Sequence, residues 1–121
     1  MRNLFSVTLI VGLVFGLGFV IVPGIMLLST YGITDNPAAN AIARNGGTTL
    51  LSFVVLLWYG RKSKNPEVHK TVLTTMFAYW LLSSITMIIA QLSGVFSMLG
   101  WGGVALHLGF LIVFGIFLFK D

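Results

Sequence analysis

Very few side chains in this sequence can do chemistry. The chain carries seven basic and three acidic residues, two histidines and no cysteine. Within its long apolar runs, Arg44 and His107 are the most informative polar groups. A guanidinium can pair with an anion or a lipid phosphate. A neutral imidazole can donate, accept or ligate a metal. Asn40, Thr48 and Ser52 lie at helical spacing from Arg44 and form a slanted polar stripe, with Asn45 beside it. Gln91 and Asp35 add an amide and a carboxylate. Arg44, Asn45, Gln91, His107 and Asp35 therefore make up the candidate polar site. Its members can bind a ligand, or they can form a structural network that fixes helix register at about 1 kcal/mol per interhelical bond. Arg44 has a further option, which is to snorkel to the headgroups. His107 is the weak candidate for an axial metal ligand, to haem iron or chlorophyll magnesium. It is the one histidine inside an apolar run, which excludes a bis-histidine haem within a single chain. His69 falls in a basic loop and is expected to be solvated.

Other chemistries are excluded by what the sequence lacks. No carboxylate lies in the middle of an apolar run, which argues against a proton-coupled exporter of the small multidrug type. Without cysteine there is no thiol redox chemistry and no cysteine-bound metal. A glycine-rich phosphate loop, a nucleophile with its base and an acidic pair are all missing, so no catalytic residue is assigned and enzymatic activity is not expected. The formal charge is +4. It would suggest nucleic acid in a soluble protein, but here the basic residues sit at the ends of apolar runs, where they set topology.

The elements that must position these groups are membrane spans. Hydrophobic residues make up 57% of the 121 and charged residues only 8%, against about 25% charged in soluble domains. A surface so poor in charge suits lipid as its solvent. Crossing about 30 Å of hydrocarbon takes roughly 20 apolar residues. Four stretches qualify, at about 4–22, 38–59, 71–92 and 103–119. The expected fold is an all-α membrane protein, a single four-transmembrane-helix bundle over 1–121. Pro23-Gly24 breaks the first span, and the piece Ile25 to Leu28 is expected at the interface. Asn36-Pro37 and Asn65-Pro66-Glu67 carry cap and first-turn signatures of helix starts. Ser93 to Gly102 reads as a glycine-rich turn. A signal peptide is the alternative for the first segment, but the run is long and lacks a clear small-residue cleavage site, so a retained helix is expected.

With four spans, both termini and the Arg61 to Lys70 loop share one side. That side holds Arg2, Arg61, Lys62, Lys64, Lys70 and Lys120, six of the seven basic residues. The positive-inside rule places it in the cytoplasm. Trp58, Tyr59 and Trp101 fit interfacial belts. Gly12 with Gly16, and Ala105 with Gly109, are small-xxx-small pairs that permit close packing in lipid. Thr71, Thr75, Tyr79, Ser83 and Thr86 form a small-polar seam along the third span. Phe110, Phe114 and Phe117 are expected to face lipid or neighbouring helices.

The layout resembles small bacterial four-helix membrane proteins of the DoxX-like kind. The features that carry the resemblance are Ala43-Arg44 followed by Gly46-Gly47, and Leu99-Gly100-Trp101 leading into Val104-Ala105-Leu106-His107. The better-studied redox members use further polar residues that are not found in this chain. The resemblance implies a protein of a bacterial inner membrane acting beside a quinone or redox complex. Residues and resemblance together give three expectations. The first is a non-enzymatic accessory or packing subunit of a larger membrane complex, or a small-molecule-binding bundle. The second is a quinone- or cofactor-binding redox subunit with Arg44 and His107 at its site. The third is a small oligomeric transporter or channel that uses the Thr and Ser seam of the third span as its polar path. Partners are then lipid and other membrane subunits or further copies, with no nucleic acid.

The orientation is testable with single cysteines, since the native chain has none. Ser63→Cys is expected to resist an impermeant thiol reagent in intact cells, and Asn36→Cys to be labelled. The opposite labelling pattern would invert the topology.

Overall fold

The computed structural model describes residues 1–120, which form five helices and no strand. These are α1 (Arg2–Ile21), α2 (Pro23–Tyr31), α3 (Pro37–Lys62), α4 (Pro66–Leu92) and α5 (Gly100–Phe119). All except α2 are long and apolar enough to cross a membrane. The 20 residues of α1 rise about 30 Å, one hydrocarbon thickness. α3 and α4, at 26 and 27 residues, extend beyond it.

Both expected helix starts form. The Asn36 side-chain oxygen accepts from the amides of Ala38 (2.9 Å) and Ala39 (3.2 Å), with Pro37 in the first turn. Asn65 accepts from the Glu67 amide at 2.9 Å, again with proline following. Because this second cap is honoured, α4 begins at Pro66, ahead of the apolar run itself. α5 likewise starts at Gly100, inside the stretch expected to be a turn.

The segment after Pro23 differs from the expected short interfacial piece. It is a nine-residue helix, α2. A Cβ on Gly18 would lie 2.8 Å from the Met26 sulfur. Eight residues along a straight helix would separate the two by about 12 Å, so the chain bends sharply at Val22-Pro23. α2 ends at Gly32, whose φ of 68° is left-handed. The Gly32 amide donates to the Leu28 carbonyl at 3.0 Å, the bond of an αL cap, and the Ile33 amide to the Leu27 carbonyl at 3.2 Å, so the end of the helix is closed. The Ser97 amide donates to the Tyr31 carbonyl at 2.9 Å. This bond ties α2 to the loop between α4 and α5.

The bundle is assembled from two tight pairs. α1 packs mainly on α3, and α4 mainly on α5, while contacts between the pairs are sparser. Glycine explains the first pair. A Cβ on Gly16 would come within 2.9 Å of Leu51 Cδ2, and one on Gly47 within 2.8 Å of the Gly16 carbonyl oxygen. The backbones therefore meet where neither carries a side chain. The Ala105 and Gly109 pair plays no such part, because both are exposed and Gly109 has no neighbour that a Cβ would meet within 4 Å. Apart from the polar stripe of α3, the outer faces are largely apolar, with Ile42, Leu92 and Phe119 each more than 70% exposed. Apolar surface on this scale suits a lipid-facing wall.

Gly16→Leu is expected to force α1 from α3 and lower the melting temperature in detergent, at a cost of about 1–3 kcal/mol from overpacking. Gly109→Leu makes the same change on an open face and should leave the melt unaltered. Equal melts for the two variants would show that α1 and α3 do not meet at Gly16.

Candidate functional site

Between the two helix pairs lies a cavity of about 640 Å³, within the ordinary range of about 300–1,000 Å³ for small-molecule sites. It occupies the half of the bundle remote from the termini. Leu57, Met76 and Trp80 line it toward the bundle centre, where they belong to the buried core. Leu27 and Tyr31 of α2 line it at the opposite end. Tyr31 is held there by stacking on Phe96, with centroids 4.6 Å apart, and on Phe19 at 6.4 Å. Gly46 of α3 and Thr86 of α4 line the cavity and are also exposed, so it opens sideways between these helices.

The wall is aromatic. Trp80 stacks on Phe110 with centroids 4.7 Å apart and meets the His107 ring edge-on at 5.2 Å. Phe53 lies against Tyr79 at 4.7 Å. On this wall His107 has spare hydrogen-bonding capacity. His107 Nδ1 lies 2.7 Å from the Gly103 carbonyl, one helical turn earlier. A carbonyl can only accept, so Nδ1 carries the proton and Nε2 of the neutral ring is left as an acceptor. Trp80 Nε1 is buried and has no partner, a situation that costs about 1–3 kcal/mol when a donor stays unsatisfied. Tyr79, Ser83 and Thr86 add hydroxyls from α4.

The five residues of the expected polar site occupy separate surroundings. Arg44 and Asn45 are exposed on α3 and do not line the cavity. Two hydroxyls of the stripe are satisfied within the helix: Thr48 donates to the Asn45 carbonyl at 2.7 Å, and Ser52 to the Thr48 carbonyl at 3.0 Å. Asp35 accepts from the Asn40 amide at 2.8 Å. Gln91 is buried and donates to the Ser97 carbonyl at 3.0 Å, which fastens the loop before α5. Of the five, only His107 lines the cavity. No hydrogen bond among the described residues joins two of them.

The seam of the third span divides in the same way. Thr71 and Thr75 face outward, whereas Tyr79, Ser83 and Thr86 line the cavity, so the seam is not a continuous path. His69 also departs from expectation. It is half-buried, its Nε2 donates to the Ser63 carbonyl at 2.7 Å, and its ring meets Phe5 edge-on at 6.0 Å. Sequence reasoning passed over Trp80. The available signal was its place in the middle of α4, since tryptophan in membrane helices usually sits at the interface.

The chain matches no protein-family model, no curated protein and no solved structure. The functional reading accordingly rests on this geometry and on the residue pattern.

Because Arg44 and His107 share no bond or partner, the stability losses of Arg44→Leu and His107→Leu are expected to add to within about 0.5 kcal/mol in a double-mutant cycle. A larger coupling, measured by thermal melts in detergent, would restore a shared site.

Proposed function

We propose that this protein is a membrane-embedded binding bundle for a lipophilic ring compound with a carbonyl or hydroxyl head, the quinone–quinol class. The observation that carries the reading is the cavity wall of Phe53, Tyr79, Trp80 and His107, where a flat ring can lie against aromatic side chains and where the Tyr79 hydroxyl and His107 Nε2 offer a donor and an acceptor. A quinone carbonyl matches the Tyr79 hydroxyl, and a quinol hydroxyl matches His107 Nε2. No group in the cavity is assigned a catalytic step, so the role is binding rather than turnover. The setting that fits is a bacterial inner membrane, with both termini in the cytoplasm, as the basic residues favour.

One observation favours a second reading, that of an accessory subunit in a larger membrane complex. Arg44, Asn45, Thr48 and Ser52 are all exposed on α3. A polar face turned outward within a span is costly in lipid and is better accommodated against another helix.

The binding reading is tested by tryptophan fluorescence. In a Trp58→Phe, Trp101→Phe background, Trp80 is the remaining reporter of the three tryptophans. A short-chain benzoquinone or naphthoquinone is expected to quench it saturably. His107→Leu should weaken binding about fivefold, as the loss of one hydrogen bond near 1 kcal/mol implies. Gly46→Phe should obstruct the mouth without clashing, because a Cβ there meets nothing within 4 Å. Linear, non-saturating quenching in the parent and in both variants would sink the proposal.

A further inference from the structure

The basic residues at the other end of the bundle do more than surround it. Arg2, at the start of α1, and Arg61, Lys62 and Lys64, at the end of α3 and beyond, line one pocket of about 420 Å³ together with Phe5, Gly60, Ser63 and His69. The four cationic residues come from two segments far apart in the chain, and no acidic side chain among the described residues lines the pocket. Topology alone requires only that basic residues lie on one side of the membrane. It does not require them to converge on a concave surface.

The pocket is built on fixed structure. Phe5 is fully buried, stacks on Phe114 and meets His69 edge-on. The turn at the rim is held by three bonds. The Asn65 amide donates to the Ser63 hydroxyl at 3.1 Å, the Glu67 amide to Asn65 at 2.9 Å, and His69 Nε2 to the Ser63 carbonyl at 2.7 Å. Gly60 is needed here as well, since a Cβ would lie 2.8 Å from Val72 Cγ2 and 3.2 Å from Phe5. Lys62 is partly engaged, its ammonium 4.2 Å over the Trp58 ring. Arg2, Arg61 and Lys64 are exposed and take part in no ring contact or hydrogen bond among the described side chains, so their charges are available.

We propose that this pocket binds a phosphate-bearing anion, held by Arg2, Arg61 and Lys64. Guanidinium groups match phosphate oxygens in paired hydrogen bonds, and a lysine adds a point charge. The volume accommodates a phosphate and a small substituent. The anion can be the headgroup of an acidic lipid in the adjacent leaflet or a free phosphate compound from the water. The site is separate from the cavity between the helix pairs and does not depend on what that cavity holds.

Two binding arms distinguish the sources. In one, the full chain in phosphatidylcholine discs is titrated with radiolabelled inorganic phosphate. In the other, the chain in neutral detergent is titrated with fluorescent phosphatidylglycerol. Saturable binding in at least one arm is expected, and the arm in which it appears names the source. Arg2→Gln with Arg61→Gln should weaken that binding roughly 30-fold, as two basic residues near a membrane surface imply. Lys64→Gln alone should weaken it about fivefold, and this provides a second reading should the double variant fold poorly. Lys70→Gln with Lys120→Gln removes the same charge from residues that do not line the pocket, and should change binding by less than about threefold. Absence of saturable binding in both arms overturns the proposal. So does equal weakening by the two double variants, which would reduce the effect to general charge attraction.

Discussion

Phe5 joins the two halves of this bundle. α1 and α3 form one pair and α4 and α5 the other, and the pairs share few close backbone approaches. Phe5, from the first turns of α1, is fully buried against Phe114 of α5 and His69 of α4. Leu57, Val72, Leu73 and Met76 pack into the same cluster. The space between the pairs is therefore filled with side chains beneath Phe5, and toward the other end it is not. Had the pairs been pressed together along their whole length, the cavity beside Trp80 and His107 would not exist.

The opposite end is spaced by α2 rather than filled. Pro23 turns the chain back, Gly32 lets it leave the helix, and the Tyr31 carbonyl is tied to the Ser97 amide. Gln91 secures the same loop from α4. Residues that sequence alone would assign to a polar site thus act as fasteners. Gln91 donates to the loop before α5 and Asp35 accepts at the start of α3, so the bonds they make serve local geometry.

The spans were legible because hydropathy and caps are local properties. Asn36-Pro37 and Asn65-Pro66 start helices by satisfying nearby amides, and no distant partner is needed. The close approach at Gly16 was legible from spacing, although its partner Gly47 was not. The site was less accessible for a physical reason. Which face of a helix looks inward depends on its rotation about its own axis, and an apolar span in lipid has little amphipathic pattern to report that rotation. Arg44 and His107 lie at similar depths on their helices, yet Arg44 faces out and His107 faces the cavity. Depth follows from counting residues along each span. Facing depends on packing.

The sideways opening at Gly46 and Thr86 has a consequence for how occupancy should be expressed. A ligand that arrives through that gap arrives from the bilayer and has already partitioned into it. The relevant supply is then its mole fraction in lipid, which a hydrophobic tail raises far above the aqueous concentration. Diluting the membrane with additional lipid would empty the site even at constant total ligand and protein. A long tail would not have to fit inside at all, since it can trail through the gap into the acyl chains while the ring is held within.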